Sequence, residues 1–178
     1  MTTNEKLILT AMKEFGVQEM SGAEMSERIR QYAIATGLEK VYTNDEIAWC
    51  ALFASFVCRE CNCIAPKTLG AIDFMNYGKH IFLEEAEQGD IVIFFRDGLE
   101  SWKSHVSFFV AKRGDKIFVL GGNQSNEVNI SAYPASKLRG IRRLSEQLAI
   151  PVDKIPANVR AEAERIQLDS PKEADEIS

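Results

Sequence analysis

Two residues of this chain could form a nucleophile and its base. Cys50 lies in the run Ala48-Trp49-Cys50-Ala51-Leu52-Phe53, and His105 opens His105-Val106-Ser107-Phe108-Phe109-Val110. A cysteine thiolate attacks carbonyl carbon readily, and histidine exchanges protons near neutral pH. Cys50 follows a polar stretch and stands at or near the start of an apolar segment. At a helix N-terminus the peptide dipoles favour the thiolate and lower the thiol pKa. Two helix starts are open. Thr43 and Glu46 have the spacing of a capping box, which would begin the helix about two turns before the cysteine and weaken that effect. Alternatively, residues 44–48 form a short turn and the helix opens at Trp49 or Cys50. A core cysteine in a buried helix is the competing reading for Cys50, and an exposed loop residue is the competing reading for His105. A cysteine heading a helix, followed by a strand-rich half with a histidine on a strand, is the layout a Cys–His pair requires.

A third group, Gly121-Gly122-Asn123-Gln124, directly follows an apolar run, residues 117–120. If the strands around Arg113-Gly114-Asp115 form a hairpin, its register decides which side chain lies across from His105. A three-residue loop pairs Lys112 with Lys116 and places Asn123 there. A two-residue loop pairs Arg113 with Lys116 and places Gln124 there instead. Either amide could accept the imidazole N–H and fix its tautomer. A simple glycine-rich turn is the alternative.

These residues need elements to position them. Residues 7–15 read as a helix with Leu7, Ile8, Ala11, Met12 and Phe15 on one stripe, closed by Gly16. Residues 26–36 read as a second, closed by Gly37. Residues 47–60 are apolar over most of the helical circumference, the pattern of a buried helix. From Gly89 onward the period changes. Residues 90–95, 105–112, 116–120, 128–133 and 138–144 are strand candidates. Helices first and strands afterwards predict an α+β fold with a largely antiparallel sheet. The expected division is a domain over residues 1–145 and a tail over 146–178. The tail carries a helix near 157–167 and is expected to be disordered over 170–178.

The chain has 178 residues, with 46% hydrophobic and 26% charged side chains, ordinary for one globular domain. A net charge of −5 gives nucleic-acid binding no electrostatic footprint. No apolar run reaches the roughly 18–20 residues of a membrane span, so stable membrane insertion is not expected. The N-terminus lacks a signal peptide's apolar stretch, so synthesis and folding in the cytoplasm are expected. Cys58 and Cys61 have a Cys-x2-Cys spacing, but no second pair or paired histidines follow. Free thiols are therefore expected at Cys58, Cys61 and Cys63 rather than a zinc site.

Four blocks, in order, resemble the NlpC-type and CHAP (cysteine- and histidine-dependent amidohydrolase/peptidase) superfamily of cell-wall hydrolases, closest to a compact branch common in phages and prophages. They are the two runs quoted first, Gly89-Asp90-Ile91-Val92-Ile93-Phe94, and Val119-Leu120-Gly121-Gly122-Asn123-Gln124. Weaker echoes are residues 14–19, Asn76-Tyr77-Gly78 and residues 138–142. Together they span about residues 8–143.

The resemblance implies a papain-like core, with the nucleophile helix packed on an antiparallel sheet that carries the base. Position by position, Cys50 matches the nucleophile, His105 the base and Asn123 the residue that orients the histidine. CHAP members often carry an acid two residues before that asparagine. Gly121 stands there in this chain, which keeps Gln124 as the reserve. The Gly89-Asp90 turn is expected to be structural. The implied chemistry is amide hydrolysis through a thioester, requiring no metal or cofactor. The Cys50 backbone N–H would be one oxyanion donor and Asn44 or Tyr42 the second, with Trp49 a further substrate-contact candidate. The implied substrate is a peptidoglycan peptide, cut in the stem or at the muramoyl–alanine link. Delivery to the wall would then need a lysis pore or a secretion system as partner.

Overall fold

The computed structural model describes residues 1–21 and 24–147, together with residue 157. Met1–Gln147 forms one compact unit. The tail's expected helix and disorder lie outside the described residues.

Among the described residues, three α-helices precede a six-stranded sheet. They are α1 (Thr3–Met12), α2 (Glu27–Thr36) and α3 (Cys50–Glu60). The strands are β1 (Lys79–Ile81), β2 (Ile91–Phe95), β3 (Ser104–Arg113), β4 (Lys116–Gly121), β5 (Asn129–Pro134) and β6 (Leu138–Arg143). The spatial order is β1-β6-β2-β3-β4-β5 and every pairing is antiparallel. The fold is α+β, as the change of period at Gly89 predicts.

α1 starts and ends earlier than the hydrophobic stripe suggests. A capping box supplies the start: Thr2 Oγ1 accepts from the Glu5 N–H and the Glu5 carboxylate accepts from the Thr2 N–H. Residues 13–16 continue as turns rather than helix. α2 closes on Gly37 in the left-handed conformation, the usual glycine stop. β1 was not legible as a strand. It is three residues long, and two of them are exposed.

The sheet is covered on both faces, which is why the β2 run Ile91-Val92-Ile93-Phe94 is apolar without alternation. Ile91, Ile93, Val106, Phe108 and Leu120 join the helices in one core. Val92, Phe94, Phe109, Ile117, Val119 and Ile141 form a second cluster. Nine consecutive residues of α3, Cys50 to Cys58, are buried. A buried Leu or Phe contributes about 1.5–3 kcal/mol, so α3 is anchored as a rod against β3.

The start of β2 is locked by Asp90, which is fully buried. Its carboxylate accepts from the Asn4 side-chain amide, the Arg143 guanidinium and the Glu87 N–H. Gly89 has a φ of 92°, and a Cβ there would run into the Asn4 carbonyl. The turn thus ties α1 and β6 to the strand beside the site.

Candidate active site

α3 begins at Cys50, with Trp49 as its N-cap. Of the two open starts, the later one holds. Thr43 and Glu46 do not cap a helix; the Glu46 N–H donates to Asn44 Oδ1 in a short turn instead. Trp49 is held by its own donor, the indole N–H, which bonds Glu19 at 2.9 Å. Cys50 therefore occupies the first helical position, where backbone N–H groups lack intrahelical partners.

Opposing influences act on the Cys50 thiol. Burial pushes its pKa up, while the Val106 amide, the Arg96 charge and the N–H groups of Ala51 and Cys50 pull it down. Burial wins, so the net shift is upward. The N–H groups at the helix start do favour the thiolate, but with Cys50 only 3% exposed the loss of solvation outweighs them.

His105 is 2% exposed and lies directly across from Phe94 in the β2–β3 pairing. Its ring stacks on Tyr133 of β5, with centroids 5.2 Å apart, and Tyr133 stacks in turn on Phe94. Burial lowers its pKa to about 4; the Gln124 hydrogen bond opposes that shift and Arg96 adds to it. At neutral pH the resting pair is thus thiol and neutral imidazole.

The amide that reaches His105 belongs to Gln124, with Oε1 3.1 Å from Nε2. The Gln124 side-chain N–H groups donate to the Asn129 carbonyl at 2.6 Å and to Asn129 Oδ1 at 3.1 Å, which fixes the orientation of the amide. With an oxygen facing it, Nε2 carries the proton and Nδ1 is the free base. Nδ1 is buried and has no partner among the described residues. Asn123, the position carried over from the resemblance, sits in the turn at φ 56° and makes no hydrogen bond to the ring.

Two glycines make room for this arrangement. A Cβ on Gly121 would lie 2.9 Å from Ser107 Cβ and 3.1 Å from Gln124 Oε1. An acid at that position would compete for the volume Gln124 fills. A Cβ on Gly122 would lie 2.6 Å from the Trp49 ring and 2.7 Å from Phe53 Cβ. The turn after β4 therefore presses directly on the start of α3.

Cys50 and His105 share one neighbourhood. The Val106 amide, one residue past His105, acts on the sulfur, and Arg96 acts on both groups. Tyr133, stacked on the imidazole, also responds to Cys50. A cleft of about 200 Å3 opens at Cys50, lined also by Ala48, Leu69, Arg96, Trp102 and Ser104. His105 lies behind its neighbour Ser104 and does not itself line this cleft. Two other hollows, one beside Cys58 and Cys63 and one beside Leu9 and Cys61, lie away from Cys50.

Tyr42 and Asn44 do not line the cleft. The Tyr42 hydroxyl is buried and donates to Asp45 at 2.8 Å, so it is already committed. Trp49 is fully buried and packs rather than facing the cleft. Residues missed in the sequence are Asn129, Tyr133 and Arg96. Only Asn129 carried any signal, a second amide five residues after Gln124 across a tight turn. Among the described residues no group of three His, Cys, Asp or Glu side chains is placed to share a metal ion. No described helix is long and apolar enough to cross a membrane.

No protein-family model matches the chain, and no curated protein matches it in sequence. Solved structures do match in fold. The P60 domain of an antigen from M. avium subspecies paratuberculosis aligns with a TM-score of 0.50 at 15% identity, over 79% of this chain and 93% of that one. A protein similar to lipoprotein, of the NLP/P60 family, from Staphylococcus aureus aligns with a TM-score of 0.50 at 18% identity, over 82% of this chain. The alignment spans 42% of that longer protein. Both neighbours lie on the NlpC side of the resemblance and do not bear on its CHAP or phage side. This chain has the papain-like α+β fold of NlpC/P60 domains.

Proposed function

We propose that the protein is a cysteine hydrolase that cleaves an amide of peptidoglycan, in the peptide stem or at the muramoyl–alanine link. One observation carries the catalytic part. His105 has Nε2 held by Gln124 and a buried Nδ1 with no hydrogen-bond partner among the described residues, on the strand whose next amide reaches the Cys50 sulfur. The wall substrate is what the sequence resemblance implies, and the NlpC/P60 fold is in keeping with it.

In this reading the Cys50 S–H passes its proton to His105 Nδ1 as substrate enters, and the thiolate adds to the amide carbonyl. The Cys50 backbone N–H, free at the first helical position, faces the developing oxyanion. The imidazolium gives its proton to the leaving amine, which departs as the thioester forms. His105 then takes a proton from water, and hydrolysis of the thioester restores the enzyme. Gln124 keeps Nε2 protonated throughout, so that Nδ1 is always the working nitrogen.

The burial of Cys50 favours a second reading, an inert binding module on the same fold. Zymography on purified sacculi separates the two. Clearing by wild type that is lost in Cys50→Ala supports the hydrolase. No clearing, with turnover of another amide, would move the activity to a non-wall substrate; no turnover at all would leave the binding module.

A further inference from the structure

Arg96 follows β2 and takes no part in the acyl-transfer steps. Its side chain is exposed and lines the cleft at Cys50. Among the described residues it has no carboxylate partner. Lys103 lines the same cleft and pairs with Asp97 at 3.0 Å, both side chains being largely exposed. No Asp or Glu lines the cleft, although the chain as a whole carries a net charge of −5. Trp102, 73% exposed, adds an apolar surface beside these cations.

This wall is built rather than loose. The Arg96 N–H donates to the Lys103 carbonyl at 3.0 Å, which closes the β2–β3 loop. Lys137 donates to the Arg96 carbonyl at 3.2 Å, and Arg139 donates to the Ser101 carbonyl. Two cations from β6 and the turn before it thus brace the segment from which Arg96 projects.

We infer that Arg96 is a specificity-determining residue that binds a carboxylate of the substrate, so that amides flanked by an acidic group are preferred. The inference rests on the hydrolase reading for its substrate, but the carboxylate site itself rests on the cleft. A guanidinium matches a carboxylate with paired N–H donors, and the Trp102 surface suits the adjoining apolar part of a peptide.

The site also couples binding to chemistry. The groups facing His105 are Phe94 from β2, Arg96 just past it, Gln124 from the turn after β4 and Tyr133 from β5. Burial holds the Tyr133 hydroxyl and the Cys50 thiol protonated, which leaves Arg96 as the charge acting on the ring. An unpaired Arg96 opposes the imidazolium that the first step must create. A substrate carboxylate neutralises that charge and removes the opposition, so the acidic substrate readies its own base.

The test uses two tripeptides with amidated C-termini: L-Ala-γ-D-Glu-L-Lys, and the same peptide with the glutamate α-carboxylate also amidated. Binding is measured by calorimetry on full-length Cys50→Ala and on Cys50→Ala/Arg96→Gln. The free-acid peptide should bind Cys50→Ala about tenfold tighter or more, and the preference should shrink to about twofold or less without Arg96. In addition, the His105 imidazole, followed by NMR, should titrate at higher pH in Arg96→Gln than in wild type. Equal binding of the two peptides, no binding of either, or a preference that survives Arg96→Gln would overturn the inference. Cleavage by wild type is scored separately. Selective binding without cleavage sinks the hydrolase reading alone, and cleavage of both peptides with equal affinity sinks the carboxylate site alone.

Discussion

Gln124 Oε1 lies 3.1 Å from His105 Nε2 and is held there by Asn129, whose backbone and side-chain oxygens take the Gln124 N–H groups. The Gln124 side chain accepts from the ring and donates to Asn129, while the Asn129 amide donates back to the Gln124 backbone carbonyl at 2.8 Å. This arrangement sets the imidazole tautomer without a charged residue.

Replacing Gln124 by Ala should lower kcat about 100-fold, within the range that general acid–base groups contribute, with KM changed little. Asn123→Gly should leave kcat within about threefold, since Gly accepts the positive φ and Asn123 does not hold the ring. Steady-state kinetics on both variants checks this. A large loss in Asn123→Gly with none in Gln124→Ala would return the orienting role to Asn123.

Gly122→Ala should destabilise the fold by about 1–3 kcal/mol, the usual cost of overpacking. The new methyl group would be pressed against the Trp49 ring and Phe53, both fully buried. Denaturant unfolding measures this, and because the clash falls at the start of α3, activity should drop as well.

His105 gives a pH dependence with a definite sign. Its pKa is lowered from 6.5 to about 4 in the folded protein, so the unfolded chain binds the proton first as pH falls. The associated stability is fully present above about pH 6.5 and is lost as pH drops toward 4, by about 3 kcal/mol in all. Glu14, whose pKa is held below its usual value despite burial, by Arg28 and Tyr32, adds its loss only at the acid end of that window. Urea unfolding between pH 7 and 5 should therefore show a slope that His105→Gln removes. An unchanged slope would mean that His105 is not the buried neutral group described.

Cys50 should alkylate with iodoacetamide faster than Cys58, even though burial raises both thiols. Cys50 opens on a cleft and meets backbone N–H groups and Arg96, whereas Cys58 has only burial and neighbouring thiols. The rate should keep rising above the pH at which an ordinary thiol ionises. Equal rates at the two sites would favour the inert module.

Much of this site was legible because it follows from local pattern. The change from helical to alternating period located the sheet, and the polar stretch before Trp49-Cys50 allowed the helix start that is observed. The third residue was not legible, because register arithmetic assumes regular strands. The Gly114-Asp115 loop does pair Arg113 with Lys116, which in an unbroken ladder would set Gln124 across from His105. A shift in register between Phe109 and Ala111 moves the ladder by one, so that simple extension would select Asn123 instead. β4 then ends at Gly121, and a turn with Asn123, Ser125 and Asn126 at positive φ returns Gln124 to the ring. Bulges and left-handed turns depend on packing against α3, which no short stretch of sequence encodes. Arg96 was passed over for a related reason: a charged residue at a strand end is ordinary until the fold sets it beside a buried thiol.

The most direct measurement is mass spectrometry of the muropeptides released from purified sacculi by wild type and by Cys50→Ala. Wild type should release soluble fragments ending at one defined amide, and Cys50→Ala none above background. Release of the same fragments by Cys50→Ala would overturn the cysteine mechanism, because Cys58, Cys61 and Cys63 do not line the cleft at Cys50.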